Sequence, residues 1–285
     1  MISKTAVVFA SLLAVASACD QHTNYLTGSH LGKRQRTIPQ DRDHDWAYEA
    51  SYNWHTLNDS YSLCQEGTQQ SPIPLRLDQG LSLQHQPSFS GYPNASVEGV
   101  RPRSSCSSQA YIDKPFQNFY NWGYGPAFTL AHAPGVWNTL PSMRFDNLTV
   151  YLRGWHIHAP ADHSVQQDRS KAEMHFVHCD EFGIDKAVVA MRIDPGNAPS
   201  PFFSQLPPMI GFNELDVENT TRMDPGLALA SVGWFNEFWT YKGSLTSPPC
   251  REGIRSVYPL RFLLTFLQRA SFLVFSYEKC FTDKA

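Results

Sequence analysis

The sequence predicts an α+β domain that is mainly β. Three observations carry this reading. The apolar stretches are short, rich in β-branched and aromatic residues, and bounded by Gly, Pro, Asn or Asp, as in "PAFTLAH", "LTVYLRGWHIH", "EMHFVHCD" and "KAVVAMRID". Helical periodicity is convincing only in patches such as "GLALASVGWFNEFWT", residues 226–240. No internal repeat or long low-complexity run interrupts the pattern. The 285 residues allow one large domain or two small ones, and 42% hydrophobic with 13% aromatic content is enough to bury a core.

The elements follow in order along the chain. Residues 1–18 read as a secretory signal: Lys4 supplies the positive start, and "AVVFASLLAVASA" is a short apolar run ending in Ala16 and Ala18. That run is too short for a comfortable membrane span. Residues 19–40 are a polar lead-in or propeptide, in which Lys33-Arg34 reads either as a dibasic cleavage site or as a solvated basic patch. Asn58, Asn94, Asn147 and Asn219 each begin an N-glycosylation sequon, which fits a secreted or extracellular chain. Six cysteines fit an oxidising compartment, and none forms a CxxC pair that would favour thiolate metal binding. Spacing alone selects no disulfide pairing. The net charge of −3 gives no reason to expect nucleic acid or an anionic membrane as partner. Near the end, residues 258–277 are strongly apolar, but Arg261 and Arg269 make a membrane anchor there costly.

The chemistry gathers in "GWHIHAPADH" and "AEMHFVHCD". On a strand, side chains at i and i+2 share a face, so His156 and His158 project together. In the second segment His175 shares a face with Glu173 and Val177, while His178 points the other way as a hydrogen-bonded core histidine. A metal-bound imidazole usually gives its other N–H to a carboxylate or carbonyl, and Glu173 is placed for that. His156, His158 and His175 are thus the candidate metal ligands. Three neutral nitrogens with a vacant fourth position describe a catalytic zinc site, because structural sites are closed by four protein ligands.

Together "WAYEASYNW", "CQEGTQQSPIPL", "GWHIHAPADHSV", "AEMHFVH", "KAVVAMRID" and "YKGSLTSPPCREG" resemble, in order, the blocks of α-class carbonic anhydrases, especially secreted fungal members. The resemblance covers roughly residues 41–255. It implies one domain around a twisted, mostly antiparallel central sheet with short surface helices. It implies Zn2+ on His156, His158 and His175, with Glu173 as the carboxylate behind a ligand. Thr246 matches the threonine that accepts a hydrogen bond from the zinc-bound hydroxide, and Asp162 stands where a buried glutamate normally takes that threonine's proton. Val177, Val188 and Leu245 match the apolar wall where carbon dioxide waits, and Cys64 and Cys250 match the disulfide of extracellular members. The implied reaction is reversible hydration of carbon dioxide to bicarbonate and a proton.

Several positions depart from the family's pattern. Asp162 is one methylene shorter than glutamate. Tyr124 stands where a proton-shuttling histidine often sits. Gly154 replaces a glutamine that often supports the first ligand, so His156 needs another partner. Ser256 replaces a tryptophan expected to close the apolar pocket. The remaining family strands are not recognisable in 256–285, which reads as an atypical tail, truncated or altered. These departures define the alternative, a catalytically impaired carbonic-anhydrase-like binding or scaffold protein. A zinc ester hydrolase is a third reading, without oxyanion donors or a serine nucleophile to favour it.

Overall fold

The computed structural model describes residue 46 and residues 48–92, 119–197, 199–211, 214, 217–219, 221–261 and 263–266. The leader, the lead-in with Lys33-Arg34, Asn94 and the tail beyond residue 266 lie outside the described residues.

Short strands dominate, as the sequence pattern predicts. They are β1 (Pro74–Leu75), β2 (Ser88–Ser90), β3 (Phe119–Asn121), β4 (Pro126–Thr129), β5 (Ser142–Phe145), β6 (Leu148–His158), β7 (Ser164–Val165), β8 (Ala172–Cys179), β9 (Asp185–Gly196), β10 (Glu218–Asn219), β11 (Phe238–Ser244), β12 (Glu252–Pro259) and β13 (Leu263–Phe266). Among the described residues the α-helices are single turns or little more: α1 (Leu63–Glu66), α2 (Pro201–Ser204) and α3 (Gly226–Ser231). An eleven-stranded sheet has the path β10-β3-β4-β6-β8-β9-β12-β11, with β5 also on β6, β2 on β5, and β13 on β9. Its pairings are antiparallel except that β12 and β13 both run parallel to β9. β1 and β7 form a separate parallel pair.

Alternation along the central strands sorts the side chains onto two faces. Trp155 and Ile157 of β6, Met174 and Phe176 of β8, and Val189 and Met191 of β9 enter the main core. The opposite face carries His156 and His158, Glu173 and His175, and Val188 and Ala190; Val188 and Ala190 belong to a second apolar cluster with Trp239, Ile254 and Tyr258. A one-residue register slip would exchange the faces. Each large core side chain sent to the wrong face would forfeit roughly 1.5–3 kcal/mol of burial. The main core therefore fixes which way the histidines point.

One expectation is corrected here. The helical patch at 226–240 ends early: α3 stops at Ser231, a 3-10 turn spans Gly233–Phe235, and β11 begins at Phe238. Phe238 is fully buried in the main core, so tertiary packing overrides local periodicity there. Past residue 256, where the sequence shows no recognisable family strand, the described part of the tail is still in strands. β12 runs through buried Ser256, Val257 and Tyr258 to Pro259, and β13 follows against Ile193–Gly196. Pairing with β9, and for β12 also with β11, supplies their hydrogen bonds, which depend on strands outside a local window.

Cys64 and Cys250 form a disulfide across a sequence separation of 186. It ties α1 to the loop between β11 and β12, just beyond Thr246, and closing so long a loop contributes on the order of 2–4 kcal/mol. Cys179 is buried and free. Among the described residues no helix is long and apolar enough to cross a membrane.

Candidate metal centre

Strands β6 and β8 bring the three imidazoles together. His156 lies opposite His175 in the register, and His158 lies opposite Glu173. The ring centroids of His156, His158 and His175 are 4.5–5.3 Å apart, and one ligand atom from each can be chosen so that all lie within 4.8 Å of one another. His156 Nε2 and His158 Nε2 are 2.9 Å apart. Nitrogens at zinc distance around a tetrahedral centre would be about 3.3 Å apart, so the donor set fits a small divalent cation. Burial, reinforced by the neighbouring His175, holds His156 and His158 well below the ordinary imidazole pKa. They are therefore neutral at physiological pH, the form that binds metal.

The second nitrogens of two of these rings are occupied. His175 Nε2 faces Glu173 Oε1 at 2.6 Å, which leaves Nδ1 for an ion. His158 Nδ1 is hydrogen bonded to the Tyr48 hydroxyl, which leaves Nε2. His156 packs edge-on against Trp122 at 5.0 Å. Gly154 shows why the glutamine seen elsewhere is absent: a Cβ there would lie 2.4 Å from the Phe128 carbonyl oxygen, so β4 approaches too closely for any side chain.

Glu173 is fully buried and accepts four hydrogen bonds. Oε1 takes those of His175 Nε2 and His163 Nδ1, the latter at 2.7 Å. Oε2 takes the His163 backbone N–H at 3.0 Å and the Tyr258 hydroxyl at 3.1 Å. Burial alone would raise this carboxyl, but the charge and hydrogen bonds of His163 and His175 hold it well below its ordinary value. Burial likewise disfavours charging His163, yet the adjacent Glu173 carboxylate prevails and raises its pKa. His163 Nε2 continues to Tyr241 at 2.7 Å, and Tyr241 donates to Ser71 at 3.0 Å. His163, Glu173 and His175 also come together closely enough to resemble a metal site. Their facing atoms are joined by hydrogen bonds, so this group is the support behind His175.

Asp162 sits beside the imidazoles, with Oδ2 3.6 Å from His158 Nδ1 and 3.9 Å from His175 Nε2. Burial raises its carboxyl to about 6; Glu173 adds to the rise, while His175 and a hydrogen bond with Thr246 oppose it. The shorter side chain thus still engages Thr246, but its Oδ2 is buried without a hydrogen-bond partner. Two residues before Thr246, the end of β11 is held by a reciprocal clasp: Ser71 N–H donates to Ser244 Oγ at 2.8 Å, and Ser244 N–H to Ser71 Oγ at 3.0 Å. Val177 and Val188 are direct cross-strand partners on this face, and Leu245 packs on the cluster containing Val188. Ser256, where tryptophan is expected, lies beside Val188 in the register.

Tyr124 lies at one side of the site within an aromatic cluster. Its hydroxyl donates to the Trp46 carbonyl at 2.8 Å, and its ring stacks on Trp46 at 5.3 Å and meets Tyr48 edge-on at 4.8 Å. His178 points into the core, with Nε2 on the Tyr92 hydroxyl and Nδ1 on the Phe176 carbonyl; burial lowers its pKa to about 3. Sequence reasoning gave no role to Tyr48, His163, Tyr241 or Tyr258. His163 follows Asp162 directly and had a local signal; the tyrosines reach the site from 78 to 110 positions away and had none.

Comparison with known proteins shows which family the chain resembles. The sequence pattern of the family described as eukaryotic-type carbonic anhydrase matches residues 49–257. The carbonic anhydrase of Pectobacterium carotovorum is 29% identical over 216 residues, covering 74% of each chain. That of Klebsiella pneumoniae is 28% identical over 215 residues, covering 74% of this chain and 75% of its own. The fungal α-carbonic anhydrase structure from Aspergillus oryzae shares the fold, with a TM-score of 0.60 at 20% identity over 81% of this chain and 85% of that one. With most of its length matched by one family's pattern and its sheet matched by that family's fold, this chain belongs to the eukaryotic-type carbonic anhydrases.

Proposed function

We propose that this protein catalyses the zinc-dependent, reversible hydration of carbon dioxide to bicarbonate and a proton, and that it does so as a secreted protein. The observation that carries the reading is the convergence of His156, His158 and His175 beside a hydrogen-bonded Thr246–Asp162 pair. A bound zinc ion would supply a Lewis acid that acidifies water, an effect for which carbonic anhydrase is itself the standard example.

The remaining work belongs to the chain. Imidazole ligands bring no negative charge and would leave the full cationic charge available, and Glu173 fixes the His175 ring. Thr246 donates its hydroxyl hydrogen bond to Asp162 and so presents its oxygen as an acceptor to the attacking oxygen, aiming a lone pair at the substrate carbon. Val177, Val188 and Leu245 hold carbon dioxide, which carries no charge and needs no ion pair. The proton must then leave. Tyrosine ordinarily titrates near 10, so Tyr124 relays protons poorly at neutral pH.

Secretion is supported by the leader-like residues 1–18, the Cys64–Cys250 disulfide, and exposed sequon asparagines at Asn58 and Asn147. Asn219 is half-buried on the edge strand β10.

Stopped-flow hydration assays test the function. The zinc-loaded protein should hydrate carbon dioxide, the chelator-stripped protein should not, and the rate should rise with imidazole buffer as an external proton carrier. A zinc-loaded protein with no hydration above background would contradict the proposal. Ester turnover far exceeding hydration would replace it with a hydrolase.

A further inference from the structure

We propose that Tyr48 is a positioning residue of the metal centre: its hydroxyl oxygen accepts the Nδ1 proton of His158 and so turns Nε2 of that ring toward the ion. The inference rests on the reading of His156, His158 and His175 as metal ligands.

An imidazole that ligates through one nitrogen carries a proton on the other, and that N–H needs a fixed acceptor. Glu173 serves His175. For His158 two acceptors are within view. The Tyr48 hydroxyl is hydrogen bonded to Nδ1, whereas Asp162 Oδ2 stands 3.6 Å away and the Asp162 carboxylate is engaged by Thr246. His158 is 1% exposed, so bulk solvent does not reach its Nδ1 to take the place of Tyr48. Removing the hydroxyl would leave a buried N–H without a partner or draw Asp162 away from Thr246.

Tyr48 is itself held in place. It opens the 3-10 helix Tyr48–Thr56, and its ring meets Trp46 at 5.2 Å, Trp54 at 5.9 Å and Tyr124 at 4.8 Å, all edge-on. Its ring also stands at 80° to that of His158, with centroids 5.6 Å apart. The same aromatic cluster contains both half-cystines, Cys64 and Cys250. The segment before the sheet thus reaches across 110 positions of sequence to set one ligand, and the disulfide secures that segment. The two supports differ in kind: Glu173 orients its histidine with a charge, and Tyr48 orients its own with a neutral oxygen.

The test compares zinc affinity, by chelator competition on the full chain, for the unaltered protein, Tyr48→Phe and Tyr92→Phe. Tyr92 makes the same type of bond to the core histidine His178, away from the centre, so it controls for loss of a buried tyrosine–histidine pair. Tyr48→Phe should weaken zinc binding about 10- to 100-fold, while Tyr92→Phe should stay within about twofold of the unaltered chain even if its melting temperature falls. Folded Tyr48→Phe with unaltered zinc affinity overturns the role of Tyr48 alone. Failure of the unaltered chain to bind zinc overturns the ligand assignment as well. Should Tyr48→Phe not fold, nuclear magnetic resonance of the zinc-loaded unaltered chain decides: the His158 Nδ1 proton should exchange slowly and lie close to the Tyr48 ring. A rapidly exchanging proton there contradicts the proposal.

Discussion

Replacing His175 with alanine is expected to abolish stoichiometric zinc binding and lower carbon dioxide hydration by on the order of a thousandfold or more. The size follows from what is lost: Lewis-acid stabilisation contributes several kcal/mol, and each 1.36 kcal/mol is a factor of ten. His156 and His158 come from the same strand, whereas His175 alone comes from β8, so its loss leaves two donors that cannot enclose an ion. Metal analysis after dialysis and stopped-flow kinetics check the result. The variant keeps its main core, which lies on the opposite face of the sheet, so circular dichroism should still report a folded protein. A folded His175→Ala protein with full zinc and full activity would remove this residue from the site.

Thr246→Ala is expected to separate binding from chemistry. Zinc content should be unchanged, because Thr246 is not among the converging nitrogen donors. The hydration kcat/KM should fall about 100-fold, since the attacking oxygen loses the acceptor that aims it and a small misorientation has an effect of that order. Asp162, hydrogen bonded with Thr246 and already holding an unpartnered Oδ2, would lose a further partner. Unaltered kcat/KM with unaltered zinc would show that the hydroxyl orients nothing.

The part of the fold legible in the sequence is the part with local causes. "LTVYLRGWHIH" reads as a strand from its β-branched and aromatic residues, and β6 spans Leu148–His158. Alternation within it implies that His156 and His158 share a face, which is the geometry observed. The opposite orientations of His175 and His178 follow from the same rule applied to β8. Less legible is whatever depends on distant partners. Nothing near Tyr48 announces that it meets His158, and nothing near Tyr258 announces that it meets Glu173 across 85 positions. Gly154 looks like a missing support for His156 until β4 is seen lying too close for a Cβ. Ser256, Val257 and Tyr258 resist reading as a family strand because Ser256 departs from the expected tryptophan, yet the segment is a strand, paired with β11 and, at Ser256 and Val257, with β9.

X-ray absorption at the zinc edge of the purified protein tests the central claim most directly. The predicted result is one zinc per chain, with three imidazole nitrogens at about 2.0–2.1 Å and one further oxygen donor, altered when His156, His158 or His175 is replaced. A protein that carries no zinc after exposure to it, or one whose zinc shell is the same after any of those three replacements, would contradict it.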